Sequence, residues 1–211
     1  MRIDLHTHTS PRSACSSLDP LELIREATHL GLDGICLTEH QVVWQPDEIA
    51  ELTQETPVKI FRGNEFTTNQ GDILVFGYEE DIKELLTIEE LRDRVAAVEG
   101  FMIAAHPFRG FKTFGIGQLQ LTVEQACSRK MFDYVDALEI RNGKVSDEEN
   151  EMAARVADRL GLPGTAGSDA HRLDEVGKWV TDFEHAIENE QELIEELRAG
   201  RFTVASEGGR Q

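Results

Sequence analysis

Short apolar runs alternate with amphipathic segments along nearly the whole chain. Ile3 to His6 reads as a strand, and Asp19 then caps a helix running to Leu30, with Pro20 at its first position and Gly31 as its stop. Gly34 to Thr38 predicts a second strand, Asp47 to Thr53 a short helix, Val58 to Phe66 a strand and Ile73 to Tyr78 another. Ile88, Leu91, Val95 and Val98 recur at helical spacing, and Phe101 to Ala105 is the strand that follows. The remainder reads as helix over Val123 to Lys130, strand over Ala137 to Ile140, helix over Asp147 to Leu160 and strand over Gly164 to Gly167. A helix over Gln191 to Ala199 and a strand over Phe202 to Ala205 complete it. Strands alternating with helices predict a parallel α/β sheet or barrel. With 211 residues, 40% of them hydrophobic, and neither internal repeat nor linker, a single domain over residues 1–211 is expected.

Each apolar run ends in polar residues, and there the chemistry collects. Five of the seven histidines stand in Asp4-Leu5-His6-Thr7-His8, Thr38-Glu39-His40, Ala105-His106-Pro107 and Gly167-Ser168-Asp169-Ala170-His171. Glu65 ends a further strand. In parallel α/β folds ligands bind beyond the carboxyl ends of the strands, so these clusters are expected on one rim although some 165 residues separate them. His6 and His8, two apart on an extended segment, share a face at roughly 6.6 Å between Cα atoms. A lone histidine is usually a core or surface residue, and Asp169 could be a helix N-cap. Such separate readings do not explain why every cluster falls at a strand end. Imidazole and carboxylate donors together suit zinc, manganese or iron.

Charge and cysteine content narrow the class. The formal net charge is −19, from 40 acidic and 21 basic residues, which disfavours a long nucleic-acid partner. Much of that excess belongs to solvated helix faces, such as Glu184 to Glu196. Cys15, Cys36 and Cys127 are odd in number and contain no CxxC pair, so a disulfide framework is not expected. No apolar run approaches 18 residues, and Met1-Arg2-Ile3-Asp4 has no signal-peptide pattern, so a cytoplasmic protein without a membrane span is expected. His29 and His185 stand outside the clusters. The glycine-containing loop from Arg109 to Leu121 follows His106 and could lid the site. Phe108, Phe111 and Phe114 are core or substrate wall.

The order DLHTHT, LTEH, GNE, AHP, GSDAH resembles the PHP family, the polymerase and histidinol phosphatase domains, over nearly the whole chain. The resemblance implies a distorted (β/α)7 barrel, a TIM-like fold with its metal site at the C-terminal strand ends. It also implies two or three divalent ions (Zn, Mn or Fe) and hydrolysis of a phosphoester by a metal-activated hydroxide. Carried over by motif, His6, His8, Glu65 and Asp169 hold one ion. Glu65 bridges to a second with His106, and His40 with His171 holds a third. Where many relatives complete the third ion, this chain reads Ser13-Ala14-Cys15, leaving Cys15, Ser13 or water as the ligand. Asp72 stands where relatives often place a histidine, and Glu39, beside His40, is a further possible donor. His6, His8, Glu65, His106, Asp169 and His171 form the catalytic set. Arg109, Arg12 and Arg141 are candidate phosphate donors and Asn142 a candidate substrate contact. The expected substrate is a small phosphorylated molecule. The alternatives are an exonuclease or 3′,5′-nucleoside bisphosphate phosphatase acting on short RNA, and an inactive metal-binding module.

Overall fold

A computed structural model describes residues 1–54, 56–110 and 121–206. The expectations for Phe111, Phe114 and most of the loop leading to Leu121 lie outside these residues. The strands are β1 (Arg2–Thr7), β2 (Gly34–Leu37), β3 (Lys59–Thr68), β4 (Gly71–Phe76), β5 (Phe101–Ala104), β6 (Ala137–Asn142), β7 (Gly164–Gly167), β8 (Trp179–Phe183) and β9 (Phe202–Ser206). Between them run α1 (Pro20–His29), α2 (Pro46–Leu52), α3 (Ile88–Ala97), α4 (Val123–Cys127), α5 (Asp147–Leu160) and α6 (Glu190–Ala199).

The helix boundaries follow from their caps. Asp19 accepts from the backbone N–H groups of Leu21 and Glu22. Thr87 with Glu90, Thr122 with Gln125 and Ser146 with Glu149 form reciprocal capping boxes at the starts of α3, α4 and α5. Left-handed Gly161 and Gly200 stop α5 and α6. The helix expected over Val123 to Lys130 is shorter, giving way to a 3-10 turn at Lys130–Asp133.

The nine strands form one mixed sheet in the order β7-β6-β5-β4-β3-β2-β1-β8-β9. The expectation of a parallel sheet is corrected at β4, which runs antiparallel to both β3 and β5. Only Asn69 and Gln70 separate β3 from β4, far too few residues for a parallel crossover. Strand β8, absent from the sequence reading, pairs antiparallel with β1 and β9. The barrel is nearly closed where β7 meets β1: His8 N–H donates to Ala170 O at 2.9 Å and Asp169 N–H to His6 O at 2.8 Å. Among the described residues no helix is long and apolar enough to cross a membrane.

Inward-facing Ile3, Leu5, Phe61, Leu74, Phe76, Phe101 and Ile103 fill the barrel together with Leu193, Ile194 and Leu197 of α6. α6 lies against Gly77 and Gly100, beyond the end of antiparallel β4 and before the start of β5, so it plugs the end opposite the histidine clusters. Leu193→Ala removes a fully buried plug residue, and its expected cost is about 2–5 kcal/mol, measurable by urea denaturation. A change near zero would show that the plug contributes nothing to the core.

Candidate metal centre

The histidines and Asp169 stand at or just past strand ends, whereas Glu65, expected to end a strand, lies inside β3, which pairs on with β4 as far as Thr68. His6 lies within β1 and His8 just past it, His40 follows β2, Glu65 is in β3, His106 follows β5, and Asp169 and His171 follow β7. His40 bridges Glu65 in parallel, so the rims of β2 and β3 are in register there. The rings gather: His8 stacks on His40 at 4.3 Å between centroids, with His171 4.5 Å from His8 and His106 5.6 Å from His6.

The donor atoms converge more tightly than the rings. His6 Nε2 and His8 Nε2 are 3.0 Å apart. Glu65 Oε2 lies 3.5 Å from the first and 3.2 Å from the second, and Asp169 Oδ1 lies 3.6 and 3.5 Å from them. Two ligands bonded to one ion at about 2.0–2.1 Å in tetrahedral geometry stand about 3.4 Å from each other. The separations of Glu65 Oε2 and Asp169 Oδ1 from the two imidazole nitrogens therefore match the edge lengths of a coordination polyhedron, which tests the fit of a divalent cation on the geometry alone. The other oxygen of Glu65 turns to His106 Nε2 at 3.0 Å. Among the described residues, three groups have donors within 4.8 Å of one another: His6, His8 and Asp169; His6, Glu65 and His106; and His8, His40 and His171.

The electrostatics match a cation site. Burial disfavours a charged His6, yet Asp169, Glu139 and Glu65 hold it well above the ordinary histidine range. Burial likewise opposes charge on Glu65, but His6, His106 and His40 keep it well below the ordinary carboxylate range. Asp169 is depressed against its burial by His6, His8, Arg109 and His106. His106 and Asp169 have φ angles of 27° and 55°, in the left-handed region where non-glycine residues are uncommon. Such strain persists only where the surroundings enforce it.

A second layer fixes the rings. Glu139 Oε1 lies 3.0 Å from His6 Nδ1, and Glu139 Oε2 accepts from His106 N–H at 2.8 Å and from Asn142 Nδ2 at 2.9 Å. Ser13 Oγ lies 3.3 Å from His8 Nδ1 and donates to Glu39. His171 Nδ1 donates to the Asp169 carbonyl at 2.8 Å, which leaves Nε2 as its free nitrogen. Asp4 accepts from the N–H groups of His6, Ser168 and Gly177, and burial pushes its carboxyl up to about 6. Glu139 and Asp4 have one sequence signal, an acid inside an otherwise apolar strand.

The remaining expected residues are placed as follows. Arg109 Nη2 donates to Asp169 Oδ2, and its Nη1 is 3.2 Å from His106 Nε2. Asn142 is buried beside the donors, donating to Glu139 Oε2 at 2.9 Å, with its Nδ2 3.4 Å from Asp169 Oδ2. Arg141 turns outward, donating to the carbonyls of Ile140 and Asn150. Arg12 pairs with Glu48 and lies over Trp44 at 4.3 Å. Glu39 spends its oxygens on Thr9, Ser13 and Trp44, away from the converging donors. Cys15 is exposed and outside the three donor groups. Asp72 accepts from Thr67 Oγ1 at 2.8 Å and lines a small cavity beside His106. Phe108 is core, and His185 pairs with Glu196 at 3.1 Å. Two grooves of about 550 and 620 Å³ lie beside Lys59 and Glu188 and share no residue with the donors.

Gly167 shows how tightly this rim is built. A Cβ there would stand 2.5 Å from His6 Cβ and 3.0 Å from Glu139 Oε1. Gly167→Ala is therefore expected to cost about 1–3 kcal/mol by overpacking, read as a lowered melting temperature. It should also weaken metal binding, because the clash falls on the Cβ and backbone of donor His6 and on Glu139, which orients its ring. Unchanged melting would contradict the close approach of β1 and β7.

The chain is similar to known proteins in sequence and in fold. The family model described as PHP domain matches residues 4–135, and one described as PHP-associated matches residues 147–202. The uncharacterized protein MJ1587 of Methanocaldococcus jannaschii is 27% identical over 117 residues, covering 51% of this chain and 68% of that protein. PsfC from Pseudomonas syringae superposes with a TM-score of 0.65 at 19% identity, over 98% of this chain and 91% of that one. A two-domain protein from Bacteroides vulgatus, containing a predicted PHP-like metal-dependent phosphoesterase, gives 0.74 at 19% identity over 98% of this chain and 65% of that one. The lesion-specific endonuclease PfuEndoQ from Pyrococcus furiosus gives 0.64 at 17% identity, over 96% and 57%. At these identities the structural likeness speaks for the fold, while the family match, spanning more than half of the sequence, says that the chain belongs to the PHP domain family.

Proposed function

We propose that the protein is a divalent-metal-dependent phosphoesterase acting on small phosphorylated substrates. The observation that carries this reading is the placement of Glu65 Oε2 and Asp169 Oδ1, each 3.2–3.6 Å from His6 Nε2 and His8 Nε2, which are themselves 3.0 Å apart. These four would hold one ion. Glu65 Oε1 and His106 would take part in holding a second, and His40 and His171 a third. Divalent ions there supply Lewis-acid polarisation of a phosphoryl oxygen and make water acidic near neutral pH.

The chain's own groups do the rest. Glu139 holds the Nδ1 proton of His6 and so presents the lone pair of Nε2. The Ser13–Glu39 pair does the same for His8. Arg109, next to Asp169 and His106, offers a planar fork to phosphate oxygens. The chain works as one domain, a reading supported by one sheet that contains strands from both matched segments and by α6, from the second, plugging the barrel of the first. The presence of His6, His8, Glu65, His106, Asp169 and His171 together favours an enzyme over an inactive metal-binding module.

The test is hydrolysis of phenyl phosphate by purified protein before and after chelation. Activity that falls to background with chelator and returns on adding manganese or zinc supports the reading. Metal-loaded protein that turns over no phosphoester would favour the inactive module.

A further inference from the structure

A cavity of about 170 Å³ opens beside the donor rim, and His106 belongs to both. Its wall includes Asp72, Arg109, Arg129 and Met131. At roughly 30 Å³ per water, the space admits a phosphate or carboxylate group with a short link to the rim. Arg129 sits between α4 and the following 3-10 turn with its guanidinium plane fixed. It donates to the Pro107 carbonyl and, at 3.4 Å, to the Gln70 carbonyl. Its guanidinium carbon lies 5.5 Å from the Phe108 ring centroid and 5.7 Å from that of Phe132. Arginine stays charged in such surroundings. Arg109 stands on the same wall, with its Nη2 on Asp169 Oδ2 and its Nη1 3.2 Å from His106 Nε2.

We infer that this cavity receives a second anionic group of the substrate, with Arg129 as the specificity residue. The preferred substrates are then small phosphoesters that carry a further phosphate or carboxylate beside the scissile group. Asp72 shares the wall, so the cavity suits an anion borne next to hydroxyl groups, which a carboxylate accepts. The inference rests on the phosphoesterase reading and is tested so that the two can fail separately.

Metal-loaded protein is assayed on fructose 6-phosphate against fructose 1,6-bisphosphate, on glycerol phosphate against 3-phosphoglycerate, and on phenyl phosphate. Wild-type kcat/KM is expected to be higher for the member of at least one pair with the added anion, and which pair responds distinguishes phosphate from carboxylate. Arg129→Met should remove roughly 10- to 100-fold from that doubly anionic substrate and leave phenyl phosphate within about twofold. Arg129→Lys, which keeps the charge and loses the fork, should fall between. Equal rates within both pairs, or equal losses on all substrates in a folded variant, would overturn the inference. Should no ester be hydrolysed at all, the phosphoesterase reading fails. Calorimetric binding of both substrate pairs to wild-type protein then still decides the cavity: tighter binding of an added-anion member supports it, and equal affinities within both pairs overturn it.

Discussion

Asp169→Ala is expected to abolish cation binding at the first donor group and to lower any phosphoester hydrolysis by at least about a hundredfold, since even groups one layer behind the ligands typically contribute 10- to 100-fold. Asp169 is the position where the rim has most to lose. Its Oδ1 faces His6 and His8 at 3.6 and 3.5 Å, and its Oδ2 accepts from Arg109 and lies 3.9 Å from His106. The residue is buried and its backbone is held in the left-handed region, so the carboxylate has one place to be. Asp169→Asn keeps shape and removes charge, which separates loss of the ion from loss of the fold. In wild-type protein a cation at a hundred times its Kd should add about 2.7 kcal/mol of stability, seen as a raised melting temperature. The Asn variant should melt cooperatively with little or no such rise. A full metal-dependent rise in that variant would remove Asp169 from the ligand set.

Glu139→Gln should weaken cation binding by roughly 10- to 100-fold while leaving the fold intact. No sequence motif marks this residue, yet it touches two histidines of the site. Its Oε1 holds His6 Nδ1 at 3.0 Å, and its Oε2 receives the His106 N–H at 2.8 Å. Loss of the negative charge lowers the basicity of His6 and frees the ring to choose its tautomer. The glutamine retains an acceptor for the buried N–H, so stability should change far less than metal affinity. Titration calorimetry with zinc or manganese checks this, and an unchanged Kd would show that Glu139 serves packing alone.

How much of this was legible depends on what each residue's signal is made of. The donor histidines and Asp169 could be read because each ends an apolar run, and strand ends of a barrel share a rim, whereas Glu65 reaches the same donors from inside β3. Most helices could be read because Asp19, Thr87, Thr122 and Ser146 cap them visibly. Strand β8 was hidden because Trp179-Val180-Thr181-Asp182-Phe183 is stabilised by β1 and β9, partners set by tertiary pairing. The reversal of β4 had a local sign, the two-residue link to β3, which the alternating pattern overrode.

Side-chain direction was the least legible property. Strict alternation would put Arg141 on the same face as Glu139, but the register of β6 against β7 shifts between them. That irregularity turns Arg141 outward and brings Asn142 in beside Glu139. Arg12 is likewise taken by Glu48 and Trp44, contacts that no spacing rule contains. Arg129 drew no notice in the sequence because its place at the cavity depends on the fold of a distant turn.

The clustered donors are placed to hold cations. Elemental analysis of the protein purified without chelators tests this most directly. Two or three zinc, manganese or iron ions per chain, reduced in Asp169→Ala, is the predicted result. A wild-type chain that carries none, and takes up none on dialysis against these metals, would contradict the account.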